Sequence, residues 1–393
     1  MKCKKILTAL LAAACTMSGC HGDLDIMQDN KLSASNMWID ESDAETATYG
    51  IYLYMRDALK SVHDIYLCWG EFRNGLWGAG TNKTLSGVDQ TQVRTSTMSS
   101  SNAYADWSVM YKTVNQANLI LKHVPEMGIS ESVRNFSLGN AYFSRAWCYF
   151  WIARIWGDAP LALTGYESTA GDLYLPRAPK AEIFARIESD LTEAERYVTD
   201  NSDKAVATPA AVQMLKADYA LWMYRVAGGG SSYLTMAEKA IEALNLSASR
   251  LESDYAQVFS SANKLNKEVI FAVHQANGEA VNGPGYYLGW NSNYVEAAYQ
   301  NNPVPITGGN QWWWYTDRYK ALLTSVEGDT RTKLTYNRAD YGTTIKSIEW
   351  TEKGVGQMIS GARIFDSDFI LYRYAEAKGY DVSAQADLSG FPD

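Results

Sequence analysis

The stretch Phe136-Ser137-Leu138-Gly139-Asn140-Ala141-Tyr142-Phe143-Ser144-Arg145-Ala146-Trp147-Cys148-Tyr149-Phe150 decides the fold class. Phe136, Asn140, Phe143, Trp147 and Phe150 recur at three- and four-residue steps, the period of an α-helix. The segment is apolar nearly all round, so the helix it predicts must be enclosed by others. Gly157-Asp158-Ala159-Pro160 then stops it, as a glycine followed by a proline should.

Working outward, Trp107, Met110, Tyr111, Val114, Leu121 and Val124 carry the same period on the N-terminal side. Earlier still, Ser42-Asp43-Ala44-Glu45 has capping-box form ahead of Ala47, Ile51, Tyr54 and Ala58. On the C-terminal side Pro179, whose fixed φ suits a first turn, precedes Ile183, Ile187, Leu191, Ala194 and Val198. Thr208-Pro209 opens a helix striped with Val212, Leu215, Tyr219, Trp222 and Val226 and ended by Gly228-Gly229-Gly230. Met236, Ala237, Ala240, Ile241 and Leu244 mark a further one. Helix, glycine turn and helix in this style resemble a tetratricopeptide pair.

Two regions break the period. Between 68 and 105, Gly, Asn, Ser and Thr surround Trp69, Phe72, Trp77 and Tyr104, which predicts a long aromatic-studded loop. Loops of that length are functional or disordered. From Glu268 a short strand-like run, Val269 to Val273, leads into a Gly-, Asn-, Pro- and aromatic-rich stretch reaching Trp314. The predicted fold is mainly α: a tetratricopeptide-like helical-pair scaffold with an irregular, aromatic-rich loop subdomain. Its organisation reads as a signal over 1–19, a tether over 20–36, helical scaffold over 37–265, and an irregular ligand-binding subdomain with returning helices over 266–375. Residues 376–393 have no apolar periodicity and read as a shortened tail.

Lys2, Lys4 and Lys5 ahead of an apolar run from Ile6 to Cys15 are an export signal too short to span a bilayer. Met17-Ser18-Gly19-Cys20 resembles a lipobox, which makes Cys20 the acylated first mature residue. Acyl chains add about 0.8 kcal/mol per buried methylene, so such an anchor needs no transmembrane helix. An ordinary signal that leaves Cys20 a free thiol is the other reading. Loss of the three lysines leaves 32 basic against 44 acidic residues, a net charge of −12, which argues against nucleic acid as a partner. Cys68 and Cys148 alone remain in the body, so neither a disulfide scaffold nor a zinc site is expected.

Catalytic motifs are scarce, with no H-E-x-x-H, no G-x-S-x-G and no paired C-x-x-C. His21, His63, His123 and His274 lack ligand spacing, so no metal or cofactor is expected. The aromatic load is the outstanding feature, with 13 Trp and 26 Tyr. Trp147, Trp151 and Trp222 lie on helices and read as core. Trp77, Tyr287, Trp290 and the run Trp312-Trp313-Trp314 lie in or beside loops. Successive residues of one element cannot all face one core, so at least one ring of that run is expected to be exposed or covered by a partner.

A sugar presents an apolar C–H face and a hydroxyl rim, which an aromatic platform flanked by polar groups matches. Arg73, Asn74 and Asn82 beside Trp77, and Asn291, Asn293, Asn310 and Gln311 beside the later rings, are the candidate rim contacts. The same rings equally suit pins that hold long loops on the scaffold.

Trp107 to Asn118, reading W-S-V-M-Y-K-T-V-N-Q-A-N, resembles a helix of the SusD/RagB family with a Trp, a Tyr and two Asn at this spacing. Ala141 to Ala146 followed by Gly157-Asp158-Ala159-Pro160-Leu161 resembles that family's aromatic helix and its G-D-x-P-L ending. Leu175-Pro176-Arg177-Ala178, Asp190-Leu191, Lys267 to Phe271, Gly328 to Arg331 and the R-Y-A of Arg373-Tyr374-Ala375 follow in family order. Beyond Ala375 the family runs on into further helices, which are not legible here. The resemblance implies an outer-membrane surface lipoprotein that captures oligosaccharide or peptide without catalysis and delivers it to a SusC-like TonB-dependent transporter. A glycoside hydrolase on a helical scaffold and a tetratricopeptide-type docking protein are the alternatives.

Overall fold

The computed structural model describes residues 37–379 apart from 63–64, 81–86, 169–172, 280–281 and 310. The signal, Cys20, the tether and residues 380–393 therefore lie outside the described residues, as do Asn82 and Asn310. The account below concerns the compact unit that begins at Asp40.

Six long helices form the scaffold: α1 (Glu41–Lys60), α2 (Ser108–His123), α3 (Glu131–Trp156), α4 (Lys180–Tyr197), α5 (Pro209–Arg225) and α6 (Ser232–Ala243). The mainly α expectation holds. α3 packs against α1, α2, α4 and α5, which is why its apolar residues point in every direction and are still buried, Tyr149 and Cys148 as completely as Phe143 and Phe150. Gly157 ends it at φ +74°, a backbone region that glycine enters at no steric cost. Thr208 caps α5 by accepting from the Ala211 amide at 3.1 Å. The start of α1 differs from the sequence reading: Asp40 and Asp43 form the reciprocal box, two residues ahead of Ser42 and Glu45. Asp40 has the extended backbone an N-cap requires, whereas Ser42 is already helical.

The scaffold's centre is polar. Arg145 on α3 donates from Nε and Nη2 to both carboxylate oxygens of Asp190 on α4, at 2.8 and 2.7 Å, and from Nη1 to Asn118 Oδ1 on α2 at 2.7 Å. Asn118 in turn donates to the Ala162 carbonyl at 3.0 Å. The same 160–166 segment takes hydrogen bonds from Tyr111 to Pro160, Asn115 to Tyr166 and Tyr149 to Ala162. These motif residues thus clamp three helices and the turn after α3, a structural assignment. Burying such a pair is worth little overall, but removing one partner strands the other charge.

The remainder is irregular, with ten short strands in five two-stranded antiparallel ladders among the described residues. The segment predicted as one long loop begins inside a helix at Ile65–Gly70 and contains strand β1 (Trp77–Ala79) and a helix at Val88–Thr95. These elements are too short for periodicity to reveal. β1 pairs with β5 (Trp313–Tyr315), more than two hundred residues later. Gly80, just past β1, donates to the Trp312 carbonyl, and a Cβ there would lie 1.5 Å from the Gln311 carbonyl oxygen. Val269 to Val273 is the expected strand, β4. Its partner, β10 (Phe369–Arg373), runs directly into a helix at Tyr374–Gly379, so the R-Y-A block straddles the end of a strand and the start of a helix. Arg373 ion-pairs with Glu268 at 3.0 Å, so the first and last blocks of this region hold each other.

Candidate ligand-binding cleft

The rings of β5 are not open. Trp313 and Trp314 are 0 % and 1 % exposed and Tyr315 is 7 %. Both faces of this strand are covered, so within the run Trp312-Trp313-Trp314 only Trp312, which precedes the strand, is partly accessible. On one face Trp313 stacks on Phe72 at 3.9 Å and Tyr315 meets its cross-strand partner Trp77 at 4.7 Å. On the other, Trp314 Nε1 donates to Glu349 Oε2 at 2.7 Å. Trp77, itself buried, and Trp290, 0 % exposed, are likewise corrected from exposed platform to packing. Trp290 sits among Val295, Val304, Ile348 and Trp350 and donates to the Glu349 carbonyl at 2.7 Å.

Glu349, on the strand Ile348–Trp350, is the hub of this packing. Its carboxylate also accepts from Tyr336 at 3.0 Å and pairs with Lys320 at 2.8 Å. Gln311 donates to the Glu349 carbonyl at 3.0 Å. Buried indole N–H groups call for acceptors, and Glu349 supplies those of Trp290 and Trp314, whereas Trp313 Nε1 has no hydrogen-bond partner among the described residues and is held by packing.

The other predicted residues are dispersed. Asn74 is exposed but committed to a turn, accepting from the Leu76 amide and donating to Glu71, both at 2.9 Å. Asn291 similarly accepts from the Asn293 amide. Arg73 is exposed and lines a separate 280 Å³ cleft with Trp69, Trp151, Trp156 and Trp222. Trp312 and Tyr287 are half-buried. Tyr287 rests edge-on against Tyr286 at 4.9 Å.

A cleft of 780 Å³ opens beside these elements, within the range of small-ligand sites. Of the predicted residues it includes only Trp77. Its other rings are Tyr66, Trp151, Phe259, Tyr315, Tyr319 and Phe369, and all but Tyr315 and Phe369 are half-buried. Tyr319 is placed by the helix Asp317–Leu323, whose cap Thr316 accepts from the Tyr319 amide and donates to the Leu76 carbonyl. Phe259 ends the short helix Tyr255–Val258.

Four cations also line the cleft. Lys264 pairs with Asp366 at 3.1 Å, Arg331 with Asp329 at 2.6 Å and Arg373 with Glu268 at 3.0 Å. Lys353 has no carboxylate within ion-pair distance among the described residues. Its ammonium lies 4.5 Å from the Phe259 ring centre. Burial, reinforced by the neighbouring Arg373 charge, pulls its pKa down to about 8. Sequence reading missed Phe259, Tyr319, Lys353 and Glu349. Lys353 stands in Thr351-Glu352-Lys353-Gly354, which carries no local signal, whereas Tyr315 and Tyr319 continue the aromatic run and were within reach.

A family model described as "Starch-binding associating with outer membrane" matches residues 79–222, which contain the Arg145 network. The chain is 26% identical over 190 residues to SusD-like protein P38 of Formosa agariphila, a match covering 48% of this chain and 36% of that protein. The alignment thus spans little more than a third of that relative. Among solved structures, Bacteroides fragilis NanU superposes with a TM-score of 0.73 at 27% identity, covering 91% of this chain and 78% of the other. A SusD superfamily protein of the same species gives 0.72 at 26% identity, covering 86% and 73%. No helix among the described residues is long and apolar enough to cross a membrane.

Proposed function

We propose that this chain, a SusD-like protein by family model, by sequence relatives and by fold, binds oligosaccharide without hydrolysing it. The reading adds that it hands the sugar to a SusC-like transporter in the outer membrane, on which Cys20 anchors it. The observation that carries the binding role is the 780 Å³ cleft, whose half-buried rings Tyr66, Phe259 and Tyr319 supply flat apolar faces beside charged groups. That combination suits a sugar ring, whose C–H face stacks on aromatics while its hydroxyls take hydrogen bonds. Trp312 and Tyr287 remain candidates for an outer contact, since each keeps part of its ring accessible.

Calorimetric titration of the full chain with starch-derived and other oligosaccharides is the test. Binding with no release of reducing sugar supports the proposal. Hydrolysis favours a glycosidase, and no binding together with transporter co-purification favours a docking protein. A Cys20→Ala variant recovered in the soluble fraction supports the anchor, and labelled fatty acid absent from the wild type counts against it.

A further inference from the structure

The cleft's cations are matched with carboxylates one by one, and Lys353 is the exception. Lys264, Arg331 and Arg373 each have an acidic partner within 3.1 Å. Glu71, the acidic group that draws on Lys353 electrostatically, is exposed and hydrogen-bonded to Asn74. Lys353 is held by aromatic faces instead, 4.5 Å from the centre of Phe259 and 6.0 Å from that of Tyr255. Arg373 lies 5.4 Å from the same Phe259 ring, so two cations share it with one carboxylate, Glu268, between them. An unneutralised ammonium against sugar-sized rings is a place for an anion, where a charge-assisted hydrogen bond is strongest. We infer that the cleft selects acidic oligosaccharides, with Lys353 receiving the carboxylate of a uronic acid while the neighbouring rings stack on the sugar.

This inference rests on the glycan-binding reading and narrows it. The lowered proton affinity of Lys353 agrees with it, since an uncompensated cation is what a bound carboxylate would relieve.

The experiment compares tetragalacturonate with its methyl ester, which keeps the rings and removes the charge. The full chain should bind the acid on the order of tenfold more tightly than the ester. Lys353→Met should abolish that preference with the fold intact by melting temperature, and Lys353→Arg should keep it. A readout free of the choice of oligosaccharide is the Lys353 side-chain resonance in selectively labelled protein. Its titration midpoint should rise with galacturonate, glucuronate or mannuronate, and stay in place with glucose. Equal binding of acid and ester, unchanged in Lys353→Met, overturns the acidic preference and leaves glycan binding standing. A midpoint unmoved by every uronate also overturns it, with neutral-sugar binding deciding the broader reading separately. A midpoint raised by an acidic peptide but by no sugar overturns both.

Discussion

Trp147 on α3 and Trp290 in the irregular region are equally hidden from water, at 1 % and 0 % exposure, yet they are buried by different means. Trp147 is one of a helical series, enclosed because neighbouring helices close over every side of α3. Trp290 is enclosed because its N–H reaches the Glu349 carbonyl and short strands from distant parts of the chain wrap it. The scaffold hides rings by repetition and the irregular region by individual polar anchors. The difference teaches that an aromatic in a glycine-rich stretch is not thereby a platform. The rings that keep partial exposure beside the cleft, such as Tyr319 and Phe259, lie outside the tryptophan run.

The sharpest way to break the comparison is to truncate both kinds of ring. Trp147→Ala, Trp290→Ala and Trp313→Ala should each cost about 3–5 kcal/mol of stability, measured by denaturant unfolding. Arg145→Ala should cost about 3 kcal/mol, since buried Asp190 then keeps only its longer 3.6 Å ion pair with Arg186. If Trp290→Ala melts like the wild type, the irregular region is not a core.

Next in size, Glu349→Ala removes the acceptor of Trp314 and Tyr336 and the partner of Lys320. It should cost about 3 kcal/mol, the upper end for stranded buried donors, and shift tryptophan fluorescence to longer wavelength. A variant as stable as the wild type would mean that packing alone holds the indoles.

Tyr319→Ala should leave the melting temperature nearly unchanged and cost more than about 1 kcal/mol of oligosaccharide affinity by calorimetry. Trp312→Ala and Tyr287→Ala test the outer surface in the same way. Loss of affinity at Trp312 and none at Tyr319 would move the site off the cleft.

Stability should also depend on pH through Lys353. Its folded pKa, about 8, lies below the unfolded value near 10.5, so the unfolded chain holds the proton more tightly between those values. The burial penalty is therefore complete below pH 8 and fades as pH rises towards 10.5. Lys353→Met should be more stable than the wild type at pH 7, with the advantage vanishing above about pH 10.5 in paired unfolding curves. A difference that stays constant across that range would mean that Lys353 titrates normally.

The sequence by itself determined the helices, because apolar residues at 3.6-residue spacing leave one solution for each segment. α3 to α6 begin and end close to where Gly157, Pro179, Thr208 and the glycines at 228–230 put them. It also supplied the residues of the Arg145 network as separate blocks, but not their meeting, since a hydrogen bond between positions 45 residues apart leaves no periodic trace. Tertiary structure alone decided the site. Whether Trp313 is open depends on Phe72, and whether Lys353 is paired depends on which carboxylates the ladders bring near. The two-stranded ladders are too short to show a period, and β1 with β5 joins partners that no local pattern connects. Burial of a side chain is a property of what lies across from it, and in this half of the molecule what lies across comes from far along the chain.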